Sequence, residues 1–199
     1  MNESSNSSSA FLKFFGQSSD RSSRSRRIPE VVRSSGSHRI CTYPRGRRPR
    51  QVRDGDVMFM GHLVKGPNEI VVYGRAVARA YEEGRDDASG EDIALRPWLE
   101  RWPHFIRIHD AEFVDGTLAD GVPLSELMDE LGAYAFGPTA ENADRGVGNV
   151  DPRQSIRQAA AIRLSEAGMS WLNEELEAAF RARGRLRAEE IAGLDWPDA

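Results

Sequence analysis

The sequence predicts an α+β domain: a small, mostly antiparallel sheet with flanking helices and a C-terminal helix. Short β-prone runs follow one another from residue 11 to residue 114, and a turn-rich centre joins two of them as a hairpin. Amphipathic helical patterns lie between and after these runs. The 199 residues suffice for one core. We expect the domain to span residues 11–183, between a disordered Ser-rich tail (1–10) and a frayed tail (184–199).

The N-terminal region combines one apolar run with a long basic segment. Phe11–Phe15 is a candidate first strand. Residues 17–53 are rich in Ser and Arg, and they are predicted to form a basic, flexible insert. Within it, a short helix begins at Ile28-Pro29, because Pro suits the first helical position, and a β-prone run ends at Tyr43.

The segment Gly55–Tyr81, GDVMFMGHLVKGPNEIVVYGRAVARAY, predicts a β-hairpin. Its strands contain Val57–Met60 and Ile70–Tyr73. Lys65–Asn68 supplies the turn, because Gly permits positive φ, Pro fixes φ and Asn tolerates the left-handed region. Gly74 marks a β-bulge or the close approach of another backbone, beyond which the second strand continues.

The middle of the chain alternates helix and strand. Ser89 is a helix cap with an acidic residue three positions later, and this helix must end near Pro97. A strand follows over residues 105–114. Apolar residues at i, i+3, i+4 and i+7 then predict a helix over 124–131, which Gly132 ends.

The C-terminal third holds a loop and a final helix. Residues 133–150 are rich in Gly and Asn and are predicted to be a loop. Asp151-Pro152 signals a helix start, whereas Ala160–Leu164 fits a helix and a strand equally. Ser165 then caps the last helix. The apolar face of that helix consists of Met169, Leu172, Leu176 and Phe180.

Charge is distributed unevenly along the chain. Residues 1–53 carry a net charge of +9 and the remaining residues −13, which leaves −4 overall. The basic part fits a nucleic-acid contact, and a solvated arm explains it equally well. The single cysteine, Cys41, excludes an internal disulfide and a cysteine-rich zinc site, so a reducing, cytoplasmic compartment is expected. No apolar run is long enough to span a membrane, and we expect no membrane partner.

Catalytic motifs are absent from the sequence. There is no P-loop, no HExxH and no Gly-x-Ser-x-Gly. His104 and His109 lie five positions apart on one predicted strand, so they face opposite sides. Gly146–Asn149 is a weak candidate for a phosphate cradle, and a plain loop explains it better. We therefore predict a protein that is not an enzyme, with no cofactor and no metal.

Two tryptophans stand out before the strand at 105–114. Trp98 and Trp102 lie four positions apart, next to Pro97 and Pro103. Tryptophan held at the mouth of a small sheet can stack on an unpaired or flipped base, which contributes ~1–3 kcal/mol per base. The alternative is that both side chains only cover the open end of the sheet.

Several short motifs resemble those of EVE-type domains in the PUA-like superfamily, which also includes YTH domains. The matching segments are Gly55–Phe59, Val71–Val77 with Tyr81, Trp102–Ile108 and Val122–Leu127. The resemblance covers roughly residues 11–180. It departs from the family at the first strand, FLKFFGQSSD, which lacks the Trp and Glu-Pro of the family, and in its Arg-rich insert.

The resemblance implies a PUA-like pseudo-barrel that binds DNA or RNA and holds a modified or flipped base in an aromatic-lined pocket. The implied pocket residues are Trp98, Trp102, Phe59, Gly61 and Lys13. The implied phosphate contacts are Arg45, Arg47, Arg48 and Arg50, which give salt-dependent affinity. A separate effector nuclease is a further candidate partner.

A second hypothesis keeps the same fold without nucleic acid, as a protein-interaction or small-ligand-binding domain. It predicts that the tryptophan pair is buried in the core. It also predicts that the basic segment is dispensable.

Overall fold

The structure is a computed structural model that describes residues 8–15, 23–38, 40–64, 69–158 and 161–194. The strands are β1 (Ala10–Phe15), β2 (Ile40–Tyr43), β3 (Val57–Val64), β4 (Glu69–Ala78), β5 (His104–Val114), β6 (Val122–Pro123), β7 (Ala161–Arg163) and β8 (Arg185–Arg187). The α-helices are α1 (Ile28–Ser35), α2 (Gly90–Leu95), α3 (Leu124–Leu131), α4 (Gly137–Arg145), α5 (Pro152–Gln158) and α6 (Glu166–Arg183). Short 3₁₀ turns occupy Pro97–Glu100, Leu118–Asp120, Gly132–Ala135 and Ala188–Glu190.

The strands form one sheet in the order β2-β5-β4-β3-β1-β7, with β6 added to β4 and β8 added to β5. The pair β1–β3 is parallel, and the other strand pairs in the described residues are antiparallel. The predicted α+β class with a mostly antiparallel sheet is therefore confirmed.

The sheet curls until its two ends approach each other. Lys13 of β1 places its Nζ 5.1 Å from the centre of the Tyr43 ring, although β2 lies at the opposite end of the strand order. Tyr43 also borders the same cavity as Ala161 of β7. The sheet is thus a half-closed barrel, and we call the gap between β2 and β7 the seam.

The predicted hairpin is present as β3 and β4, and its turn Lys65–Asn68 lies outside the described residues. The register shifts between Met60 and Gly61, so that β4 carries one extra residue, Tyr73. At Gly74, a Cβ atom would lie 2.6 Å from the Glu112 carbonyl oxygen of β5. Both features predicted for this glycine, the bulge and the close backbone approach, are confirmed.

The basic segment predicted as a flexible insert contributes to the fold. Within it, α1 buries Ile28, Val31 and Val32 completely, and β2 pairs with β5. The flexible insert was the wrong description for these residues, whereas the short helix predicted from Ile28-Pro29 and the β-prone run ending at Tyr43 are confirmed. Three apolar residues at helical spacing are enough to anchor the helix. Residues 16–22 lie outside the described residues.

Two other predictions about the second half of the chain were wrong. The predicted loop 133–150 contains α4, which has a proline in its first turn and Gly146 in the left-handed region as its C-cap. Glycine and proline therefore mark the ends of a helix here. The predicted frayed tail contains β8, which pairs with residues 112–114 of β5.

The remaining helices and strands agree with the sequence. Ser89 forms the complete capping box of α2, and α3 ends at Gly132. Ala161–Arg163 is a strand rather than a helix. The Ser165 hydroxyl accepts a hydrogen bond from the Gly168 amide and so caps α6, whose apolar face packs on the core.

Candidate functional site

A cavity of about 420 Å³ opens at the seam. This volume lies within the range of small-ligand sites, roughly 300–1,000 Å³. Its lining consists of Tyr43, Gly46, Arg47, Arg48, Pro49, Arg50, Gln51 and Ala161. Seven of these residues come from β2 and the segment that follows it, which turns at Gly46 with a φ of +82°. The cavity therefore combines one aromatic wall with three arginines.

Behind the aromatic wall lies a buried lysine between two rings. Lys13 is only 4% exposed, and its Nζ lies 5.1 Å from the centre of the Tyr43 ring and 5.4 Å from that of Trp102. Cation–π attraction of this kind is stronger in a desolvated position. Lys13 and Trp102, both predicted pocket residues, therefore meet next to the seam, and Lys13 holds the cavity wall against β1.

Two of the cavity arginines share one carboxylate. The Arg48 Nε donates to the Tyr81 hydroxyl at 3.1 Å and lies 3.5 Å from Glu83, and the Arg50 Nη2 lies 2.6 Å from Glu83. The hydrogen bond from Arg50 and the charge of Arg48 lower the pKa of Glu83. Arg48 also lies 3.9 Å from Asp87, so two guanidinium groups lie beside two carboxylates at this edge of the cavity.

A chain of hydrogen bonds runs from Arg48 into the protein. The Tyr81 hydroxyl, which accepts from Arg48, donates to the Asp87 Oδ1 at 2.7 Å. The same Asp87 oxygen lies 2.6 Å from the Nδ1 of the buried His104, and its other oxygen accepts the Gly84 amide at 3.0 Å. Arg48 is therefore fixed in position from the core side.

The protonation states of Asp87 and Tyr81 in this series of hydrogen bonds follow from their surroundings. Burial of Asp87 on its own raises its pKa, but the hydrogen bonds from Tyr81, His104 and Gly84 outweigh it and lower the pKa to about 2. Burial, together with the hydrogen bond to Asp87, raises the pKa of Tyr81 to about 12. At neutral pH, Asp87 is a carboxylate and Tyr81 keeps its proton.

Asp86 fixes the loop that presents Glu83. Its carboxylate is buried and accepts hydrogen bonds from the Glu82 amide at 2.8 Å and from the Arg107 Nε at 3.0 Å. Burial raises the pKa of Asp86, yet the bonds from Arg85 and Glu82 lower it overall. The Asp86-Asp87 pair is visible in the sequence, but only the fold shows that its members stabilise two different parts of the site.

Two predicted pocket residues lie in the core instead. Phe59 is fully buried in the central strand β3. A Cβ atom at Gly61 would lie 3.0 Å from Ile70 and 3.2 Å from Phe14, so this glycine makes room for its neighbours. Neither residue lines the seam cavity. The reason is that β3 has a strand on each side and its faces are covered by the packed core.

The other two predicted residues lie on a neighbouring surface. Trp98 is 49% exposed on the turn Pro97–Glu100. Arg45 donates from its Nε to the Glu100 carbonyl at 3.1 Å. It borders a second cavity of about 490 Å³ with Pro44, Pro97, Glu100 and Arg101. Arg45 is therefore separated from the three arginines of the seam.

Sequence reasoning missed Tyr43 as a wall residue, together with Gln51, Tyr81, Glu83, Asp87 and His104. Tyr81 belongs to the motifs that carry the family resemblance, and this was the available signal. Two features are absent from the part of the chain that the structure describes. It holds no cluster of His, Cys, Asp and Glu suited to a metal ion. None of its helices is long and apolar enough to cross a membrane.

Comparisons with known proteins give a similarity to a solved structure and no match to a family model or a curated protein. Among solved structures, the chain is similar to human THYN1 in complex with DNA that contains 5-methylcytosine, with a TM-score of 0.41 and 15% identity over 84% of this chain and 98% of that one.

Proposed function

We propose that this protein is a nucleic-acid-binding module whose seam cavity receives a modified or flipped base. One observation carries the proposal: a cavity of about 420 Å³ that joins three arginines to an aromatic wall, at the open edge of a half-closed barrel. In this proposal the base lies against Tyr43, and Trp102 supports the wall through Lys13. The polar edge of the base faces Gln51.

The arginines suit the phosphate backbone. A guanidinium group presents a planar fork of donors that matches two phosphate oxygens, and it stays charged at any physiological pH. Arg47, Arg48 and Arg50 follow one another along one rim of the cavity. A strand passing along this rim with one base turned inward would meet both kinds of contact at once.

Two observations favour this proposal over a protein-interaction or small-ligand domain. That alternative requires both tryptophans to be buried in the core, yet Trp98 is exposed and Trp102 is half-buried. It also treats the basic segment as dispensable, yet α1 and β2 belong to the core and the sheet.

The test is binding to labelled oligonucleotides at low salt, measured by fluorescence anisotropy. Single-stranded and duplex DNA and RNA are compared, each with cytosine or 5-methylcytosine and with adenine or N6-methyladenine. We expect binding to at least one set, with a preference for one modified base. Absence of binding to every oligonucleotide would falsify the proposal.

Trp102→Ala tests the wall of the cavity. We expect about tenfold weaker binding, because one stacking or supporting aromatic group is lost. Trp171→Ala is the matched control, since Trp171 lies on α6 and donates to Glu130 at 2.9 Å. Circular dichroism verifies that both variants are folded. Equal binding by Trp102→Ala and the wild type would remove Trp102 from the site.

A further inference from the structure

Two large apolar side chains stand in solvent beside the second cavity. Leu95 at the end of α2 is 78% exposed, and Trp98 on the following turn is 49% exposed. Between them lies Pro97, and after them Leu99 is buried and anchors the turn. We call residues 95–99 the apolar turn. The side chains of Leu95 and Trp98 therefore leave their apolar surface in water.

The apolar turn is held rigidly although α2 buries none of its residues. The Ser89–Asp92 capping box closes one end of α2, and the Arg96 amide donates to the Asp92 carbonyl at 2.8 Å at the other end. The Leu99 amide then donates to the Arg96 carbonyl at 2.9 Å. Local hydrogen bonds therefore keep Leu95 and Trp98 exposed.

The surroundings of the apolar turn carry charges of both signs, with Glu91 and Asp92 on α2, and its arginines lie next to the seam. Arg45 and Arg101 border the adjacent cavity, and Arg96 is exposed within the turn itself. The acidic residue of that cavity, Glu100, lies 3.8 Å from Arg45. The chain passes directly from Arg45 to Arg47 at the seam, so the two surfaces are neighbours.

We propose that Leu95 and Trp98 form a wedge that enters the base stack of a duplex. The proposal rests on the proposed function and adds the duplex as its partner. Proteins that bend or open DNA insert apolar side chains between base steps and contact the flanking phosphates with basic residues. The apolar turn supplies the inserted side chains and Arg45, Arg96 and Arg101 supply the cations. Opening the stack next to the seam gives the cavity access to a base.

The test uses a duplex with 2-aminopurine, whose fluorescence rises when the base leaves the stack. We expect the wild type to raise this fluorescence. Trp98→Ala and Leu95→Ser should abolish the rise and weaken duplex binding about tenfold, while single-strand binding stays within about twofold. Val147→Ser removes an exposed apolar side chain elsewhere and is the matched control, with wild-type behaviour expected.

The results of this experiment distinguish a failure of the wedge from a failure of the proposed nucleic-acid binding. Wild-type fluorescence and affinity in both variants would overturn the wedge and leave the proposed function standing. An equal loss of duplex and single-strand binding would also overturn it, because a wedge acts only on stacked bases. If the two variants keep duplex binding but lose self-association or vesicle binding, the turn contacts a protein or a membrane, and the wedge is wrong. A wild type that binds no nucleic acid ends both proposals.

Discussion

Two arginine clusters in this protein differ in how fully their donors are used. In the inner cluster, Arg75 of β4 donates to Glu112 at 2.6 Å, to Asn173 at 2.8 Å and to Glu177 at 2.5 Å. Arg185 of β8 donates to the same two glutamates. The Arg75 side chain is 19% exposed. This cluster ties α6 to the sheet, and its hydrogen bonds are satisfied within the protein.

The seam cluster is more open. The side chains of Arg48 and Arg50 are 40% and 66% exposed; both lie near the Glu83 carboxylate, and Arg48 also lies 3.9 Å from Asp87. Because both clusters are rich in arginine, arginine content alone does not identify a binding site. What distinguishes the seam is that its guanidinium groups are exposed and line a cavity.

The largest expected effect is the loss of stability in Arg75→Met. Removing this side chain deletes three hydrogen bonds and leaves Glu112 and Glu177 with the more exposed Arg185 as their shared donor, which should lower the free energy of unfolding by about 3 kcal/mol. Arg48→Met is the control, with a much smaller change because its ion pairs are exposed. Urea unfolding measures both. Equal losses in the two variants would contradict the distinction between the clusters.

Asp87→Asn tests the support behind the seam cluster. The pKa of Asp87 is about 2 in the folded protein, below its ordinary value of 3.8. The folded state therefore binds fewer protons, so the carboxylate stabilises it above about pH 4 and this contribution is lost as the pH falls towards 2. We expect Asp87→Asn to lose about 2 kcal/mol at pH 7 and to approach the wild type near pH 2. A difference that stays constant with pH would show that the charge of Asp87 is not the cause.

The smallest effect concerns Tyr81→Phe. This change removes the hydroxyl that links Arg48 to Asp87, and we expect a loss of about 1 kcal/mol. A double-mutant cycle with Arg48→Met should give a coupling energy of about 0.5 kcal/mol, because the two residues share one hydrogen bond. Additive losses would mean that Arg48 is not held through Tyr81.

Local patterns predicted most of the individual helices and strands. The hairpin followed from its two apolar runs and the turn residues between them, α6 from the Ser165 cap and its periodic apolar face, and the bulge from Gly74. Composition misled for the basic segment as a whole, although the local signals at Ile28-Pro29 and before Tyr43 did predict α1 and β2 within it. Gly146 ends a helix rather than marking a loop.

The candidate site was less predictable because it depends on how the sheet curls. Tyr43 and Ala161 are distant in sequence and meet only because the edges β2 and β7 approach each other. The sequence also contained no sign that Phe59 faces the core, or that Trp98 and Trp102 lie on different surfaces. Three of the four arginines predicted to bind phosphate do line one cavity, whereas Arg45 borders another.

We propose that the seam binds nucleic acid through its arginines. The salt dependence of binding tests this claim most directly. The triple variant Arg47→Gln/Arg48→Gln/Arg50→Gln is compared with Arg145→Gln/Arg153→Gln/Arg181→Gln, which removes the same charge from exposed positions on α4, α5 and α6. Each lost phosphate contact lowers the slope of log K against log salt concentration by about 0.7–0.9. We predict a slope about two units shallower for the seam variant only. Equal changes in both variants would contradict the claim, because net charge alone would then explain the binding.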